Sequence, residues 1–267
     1  MFDNPATQSS QTRIIRFDEQ TVLTAPSSCL TEPLWRRFKT ALSPIDDREF
    51  LLKLKLLGED RDGAVHPAVH PAVYPTVAGI LMASEQPQQH ITNAFIQAVA
   101  YRGTKRNAAY QLDAHDITGP LDAQIVGAYH FVARNMRIYA TKRPARRDVP
   151  QFALQAVFEA LVNAVAHRDY AIAASKIRLH LFADRLELFS PGAIPNTMTI
   201  ESLPLRQAAR NELITSLLAR CPVALAGLSG ERGFLMDKRG EGVPIILSAS
   251  ERISGRRPVY QLIDESE

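Results

Sequence analysis

Apolar residues recur at helical spacing in several stretches of the chain and alternate in others. Leu34, Trp35 and Phe38 predict a helix from Glu32 to about Ala41. Phe50, Leu51, Leu54 and Leu57 predict a second from Asp46 to Leu57, closed by Gly58. PTVAGILMAS reads as a buried helical turn or strand. The alternation of Phe95, Gln97, Val99 and Tyr101 predicts a strand, and Ile125, Ala128, Tyr129 and Val132 predict a helix from Leu121 to about Met136. Asp148 and Pro150 read as a helix start. After them Leu154, Val157, Phe158, Leu161, Val162 and Val165 make the broadest apolar stripe in the chain.

Between these elements lie segments without a period. The first dozen residues are polar and predict a frayed start. Val65 to Thr76 is a tandem, VHPA-VHPA-VYPT, whose regular prolines forbid a helix. His66 and His70 therefore lose the helical face on which a four-residue interval makes a metal pair. From Arg134 to Arg147 there are six basic residues and no acid. That run is either a solvated connection or a phosphate-contacting patch, with Arg143, Arg146 and Arg147 as candidate nucleic-acid contacts.

Composition narrows the classes. With 46% hydrophobic and 22% charged residues in 267, the chain is globular and long enough for one or two cores. A net charge of +3 does not by itself demand a nucleic-acid partner. Cys29 and Cys221 lack metal-ligand spacing and suit a reducing, cytoplasmic setting, and no apolar run is long enough to span a bilayer. No G-x-x-x-x-G-K-[ST] is present, so P-loop motor chemistry has no site.

The stretch after Ala153 carries the candidate chemistry. Glu159, Asn163 and His167 stand four apart, at successive turns of one helix side. A carboxylate beside a carboxamide and an imidazole suits Mg²⁺ and an oriented water, as nucleotide hydrolysis requires. Three such residues also describe an ordinary exposed helix edge.

EALVNAVAHRDY, from Glu159 to Tyr170, resembles the E-A-x-x-N-A-x-x-H-R-D-Y signature of RecG-like C-terminal domains, distant relatives of the GHKL ATPases. KIRLHLFADRLELFSPGAIP, from Lys176 to Pro195, resembles their two strands and D-R-x-E-x-x-x-P-G-x-x-P turn. Arg210-Asn211 is similar to their R-N pair, and RGEGVPII, from Arg239 to Ile246, to their second glycine motif. Upstream, PTVAGILMAS, Arg102-Gly103 and TGPLDAQIVGAYHFV resemble the later part of the Schlafen/AlbA-type region of transcriptional regulators.

The resemblance implies an α+β protein in three parts: a disordered start over 1–12, a partial Schlafen/AlbA-type α+β region over 13–147, and a Bergerat-like α/β sandwich with a mixed sheet over 148–267. It implies ATP and Mg²⁺ as cofactors, with Glu159 as the water-activating base and Asn163 as the Mg²⁺ ligand. His167, Asp169, Ser190, Gly192, Ile194, Gly240 and Gly242 would contact the nucleotide. A mobile lid is one reading of the insertion with Gly227, Gly230 and Gly233; a surface loop is the other.

Two departures bear on activity. The turn Ser190-Pro191-Gly192 lacks the adenine-reading carboxylate of working GHKL ATPases, so slow hydrolysis or none is expected, at most a weak Mg²⁺-dependent ATPase. The family's opening strand motif is not visible before Arg13, and no winged-helix module follows the last motif. The resulting expectation is a nucleotide-binding regulatory module, possible as a homodimer. The alternatives are a DNA-binding, transcription-associated scaffold that dimerises without nucleotide, and a fragment of a larger regulator.

Overall fold

The computed structural model describes residues 15–60, 72–142, 146–194, 198–205, 208–223, 225, 233–237 and 240–263, without the side chains of 141–147. The start over 1–12, His66 and His70, Arg143, Gly227 and Gly230 lie outside the described residues.

In chain order the elements are α1 (Glu32–Arg36), α2 (Asp47–Lys53), β1 (Leu57–Glu59), β2 (Val73–Pro75), α3 (Val77–Ala83), β3 (Ile96–Tyr101), β4 (Gln111–Ile117), α4 (Leu121–Asn135), β5 (Ile138–Lys142), β6 (Arg146–Pro150), α5 (Leu154–Ala166), β7 (Ile177–Leu181), β8 (Leu186–Phe189), α6 (Glu212–Leu218) and α7 (Gly242–Ser254). The main sheet has the order β4-β3-β7-β8. β3 runs parallel to β7, with Ile96 opposite Ile177, while β4 and β8 flank them antiparallel, making the sheet mixed. One hydrophobic cluster runs from Leu30 to Leu235 and includes Ile96, Ile125, Phe158, Leu161, Leu179 and Leu217. Burying those apolar surfaces is what joins the front and back of the chain.

The strong periods form the expected elements in α4, α5 and β3, and the two strands implied by the resemblance form as β7 and β8. Three local expectations need correction. α2 stops at Lys53, because Lys55 takes a left-handed φ of 58° and the chain turns into β1; Gly58 sits in that strand and closes no helix. α1 ends at Arg36, although Phe38 beyond it is buried. Asp148–Pro150 belongs to β6, and α5 begins at Leu154 with Ala153 as a cap that offers no side-chain acceptor. Arg134 lies in the last turn of α4, and the described residues that follow from Ile138 form an antiparallel ribbon, β5 on β6.

The front of the chain is tied to α6 by a buried carboxylate. Asp18, fully buried, accepts from the backbone N–H of Leu213 (2.8 Å) and Ile214 (3.2 Å), the first-turn donors that a helix cannot satisfy itself. Arg16 adds contacts to Ala209 O (3.2 Å) and Glu212 (2.5 Å). Burial holds the Asp18 carboxyl above its ordinary range, more than those amides lower it. The folded state therefore holds the Asp18 proton more tightly than the unfolded chain does. Stability from this group is greatest in acid and falls as pH rises through the folded pKa. Asp18→Asn keeps an acceptor for the two amides and removes the charge. Its stability relative to wild type should be more favourable at pH 7 than at pH 4, by urea midpoints, while Asp18→Ala should lose about 1–2 kcal/mol at both. The opposite pH trend for Asn would show that the charge stabilises the cap.

No helix among the described residues is long and apolar enough to cross a membrane. Cys29 and Cys221 are both free, and burial pushes the Cys221 thiol up to about 12, which removes it from thiolate chemistry.

Candidate nucleotide site

α5 presents its apolar stripe to the core and leaves one edge for polar groups. Phe158, Leu161 and Val165 are at most 1% exposed, whereas Asn163 and His167 are only half-buried. Glu159 on the same edge is 4% exposed, a position a carboxylate rarely takes without partners. Gly242, the first residue of α7, lies against this edge. A Cβ placed on it would stand 3.3 Å from Glu159 Oε2 and 3.2 and 3.4 Å from the two amide atoms of Asn163. The carboxylate and the carboxamide therefore converge on one point beside the first turn of α7, where an added methyl would press on both.

The turn after β8 forms the neighbouring wall. Ser190 Oγ donates to Ala164 O (2.8 Å), and the Asp169 N–H donates to Pro191 O (2.8 Å). Gly192 has a φ of 115°, and a Cβ there would lie 2.7 Å from the Asp169 Cβ. Arg210 clamps the turn from outside, pairing with the Asp169 carboxylate and donating to Ala193 O (2.5 Å). Asn211 donates to Ala166 O (3.0 Å) and Arg168 O (2.8 Å), so the α5 carbonyls left open at its C-terminus find a partner on α6. Burial, and secondarily the Arg210 charge, hold His167 below its ordinary range, so its ring is neutral at pH 7.

Within H-R-D-Y the remaining groups hold the chain after α5. Arg168 is 1% exposed, donates to Ser175 O (2.8 Å) and lies 4.9 Å from the Tyr170 ring centre. Tyr170 donates to Val165 O (2.9 Å). Asp169 accepts from the Ala171 N–H (3.0 Å) besides its pairing with Arg210.

A cavity of about 1330 Å³ joins these parts, and its lining takes in Glu159, Asn163, His167, Ser190, Gly192, Ile194, Gly240 and Gly242. Residues separated by more than eighty positions are thus brought to one space. Asp169 is not on its wall; it stands behind the Gly192 turn. The cavity exceeds the several hundred Å³ of ordinary small-molecule pockets and has room for a nucleoside triphosphate. Gly240 contributes a left-handed backbone, φ 74°, next to the α7 first turn. Arg146 and Arg147 lie on β6.

Several lining residues gave no sequence signal. Glu19, Lys53 and Lys55 arrive from the front of the chain, with Lys55 paired to Glu19 at 2.8 Å. Tyr260 arrives from the segment after α7, its hydroxyl buried without a hydrogen-bond partner among the described residues. None sits in a motif, and only the tertiary fold assembles them. Arg210-Asn211, by contrast, was visible as a pair without a role, and its role is to fasten α6 to the turn and to α5.

Residues 174–266 match the HATPase-type family described as "Putative ATP-dependent DNA helicase recG C-terminal". The match spans β7, β8, α6 and α7; Glu159 and Asn163 lie ahead of it. No curated protein matches the chain. The crystal structure of the DIP2311 protein from Corynebacterium diphtheriae is similar at a TM-score of 0.60 with 20% identity, over 94% of this chain and 45% of that one. The chain thus spans less than half the length of that structure, and the likeness concerns the fold alone. Residues 174–266 are thus similar to a RecG C-terminal-like, HATPase-type domain, and the chain as a whole has a mixed α+β fold.

Proposed function

We propose that the cavity binds ATP or a related nucleoside triphosphate together with Mg²⁺, and that the chain is a regulatory module of a transcription-associated protein, with hydrolysis slow or absent. The observation that carries this reading is the convergence of Glu159 Oε2 and the Asn163 amide beside Gly242, in a cavity also lined by the Gly192 turn. A hard cation takes oxygen ligands and commonly completes its shell with phosphate oxygens and water. The Asn163 carbonyl oxygen would supply one such ligand, with phosphate oxygens and water supplying the rest. Among the described residues no group of three or more His, Cys, Asp and Glu is arranged to hold a metal alone, which fits an ion that arrives with a phosphate chain. When bound, Mg²⁺ would supply charge neutralisation for the phosphates.

The chain's own groups do the remainder. Glu159, on the same helix edge as Asn163, would accept a proton from the attacking water. The backbone at Gly240 and the first turn of α7, thirteen residues long, offers N–H donors to phosphate oxygens. At the other end, the Ser190 hydroxyl proton is engaged by Ala164 O, and the Asp169 carboxylate behind the turn is engaged by Arg210. Base discrimination should accordingly be weak, since a purine amino group meets only neutral acceptors there.

Calorimetric titration of Mg²⁺ with a non-hydrolysable ATP analogue into wild type and Asn163→Ala tests the reading. Saturable binding should weaken at least about tenfold in the variant, roughly 1.4 kcal/mol, with the GTP analogue within a few-fold of the ATP analogue on wild type. Absence of heat with either nucleotide would instead favour a scaffold whose ATPase-like fold has lost its ligand.

A further inference from the structure

A lysine stands at the end of α2 where the backbone favours glycine. Leu54 caps the helix, the N–H of Lys55 returns to Leu52 O (3.0 Å) and that of Leu56 to Leu51 O (2.9 Å), and Leu51 and Leu56 are both buried. This pair of returning bonds is the helix ending whose left-handed residue is usually glycine. Here Lys55 takes that place at φ 58°, and among the described residues it is the one residue other than glycine with a left-handed φ. A side chain in that conformation crowds its own backbone, so glycine at the same place makes the more stable turn. Thr76 Oγ1 donates to the Lys55 carbonyl (2.7 Å), so the strained turn is held from outside.

What lysine adds at this place is its ammonium. That group donates to Glu19 Oε1 at 2.8 Å, with 38% of the lysine side chain exposed and 16% of the glutamate. Ion pairs this close to solvent contribute little, and rarely more than a left-handed side chain costs. Both partners line the cavity that also takes in Asn163, Gly240 and Gly242. The motif residues bring no available cation to that lining, since His167 is neutral at pH 7 and Arg210 is engaged by Asp169. A triphosphate remains anionic with one Mg²⁺ bound, so a cation from outside the motifs completes its surroundings.

We propose that Lys55 reads the length of the phosphate chain: its ammonium leaves Glu19 for the terminal phosphate oxygens of a bound nucleoside triphosphate, and a diphosphate is too short to draw it away. The inference rests on the reading of the cavity as a nucleotide site and adds to it a contact from the front of the chain. Glu19 competes with phosphate for the ammonium. Its neighbour Asp18 caps α6 through the N–H groups of Leu213 and Ile214, so the exchange acts on a segment already tied to that helix.

The test is calorimetric titration of Mg²⁺ with a non-hydrolysable ATP analogue, and of Mg²⁺ with ADP, into the full chain as wild type, Lys55→Gly, Lys55→Arg and Glu19→Gln, with a urea midpoint for each. Glycine suits the backbone at this turn, so the Lys55→Gly midpoint should equal or exceed that of wild type. Wild type should hold the triphosphate analogue at least about tenfold more tightly than ADP. Lys55→Gly should weaken the triphosphate at least about tenfold and leave ADP within about twofold. Lys55→Arg should keep the wild-type preference, and Glu19→Gln should hold the triphosphate as tightly as wild type or more so. Should Lys55→Gly not fold, Lys55→Asn replaces it, since asparagine also tolerates the left-handed turn. A folded variant without the lysine that weakens both nucleotides alike, or neither, overturns the inference and leaves the nucleotide site standing. No heat with either nucleotide in wild type overturns both.

Discussion

Gly79→Ala is expected to cost at least about 3 kcal/mol of stability, read as a lowered urea midpoint with little change in slope. α3 is buried along its whole length, and its first turn is pressed against the backbone of Leu56. A Cβ at Gly79 would meet Leu56 O at 2.1 Å and Leu56 C at 2.9 Å, neither of them a flexible side-chain end. The approach is fixed from several sides. Thr76 Oγ1 donates to Lys55 O (2.7 Å) and accepts from Gly79 N (2.9 Å), while Thr76 N–H donates to Leu56 O (3.0 Å). Relief would require moving α3 or Leu56, whose side chain is itself wholly buried. A variant within about 1 kcal/mol of wild type would mean that this contact is loose and that α3 can shift cheaply.

Gly192→Ala should strike both stability and binding. The φ of 115° is strained for any residue with a side chain, and the added methyl would meet Asp169 Cβ at 2.7 Å and Asp169 N at 3.2 Å. Asp169 cannot easily retreat, since Arg210 holds its carboxylate and Pro191 O holds its N–H. We expect a loss of about 2–4 kcal/mol and at least tenfold weaker binding of the Mg²⁺–nucleotide analogue under conditions where the variant is still folded. Urea unfolding and calorimetry together separate the two effects. Unchanged affinity beside the full stability loss would place the turn in the scaffold and outside the ligand's reach.

What could be seen in the sequence was what depends on local period and on contiguous motif. α5 was legible because six apolar positions repeat at helical spacing, and Glu159, Asn163 and His167 because they share its other edge. β7 and β8 were legible through the resemblance of Lys176–Pro195 to the family's two strands. The end of α2 was not. Two further apolar residues, Leu54 and Leu57, continue the period, but Lys55 is held left-handed while its carbonyl accepts from Thr76 and its ammonium donates to Glu19. The Asp148–Pro150 signature misled for a similar reason. Its residues satisfy a helix start and a ribbon edge equally, and Gln151, anchoring the ribbon root to Phe182 and Ala183, decides between them. The position of Asp169 behind the Gly192 turn depends on Arg210, forty-one residues away, which no local pattern connects.

The order of the sheet has a consequence for how the chain comes off the ribosome. β3 is made early, and its antiparallel partner β4 follows at once, but its other neighbour, β7, is among the later strands to be synthesised. Until then Ile96, Ala98 and Ala100, all buried at the end, belong to a two-stranded hairpin whose β3 edge is still bare, a form that is at best marginally stable in water. The front of this protein must therefore wait, half-built, for its own back half to arrive, and slow translation between α4 and β7 would prolong the interval in which that edge can find the wrong strand.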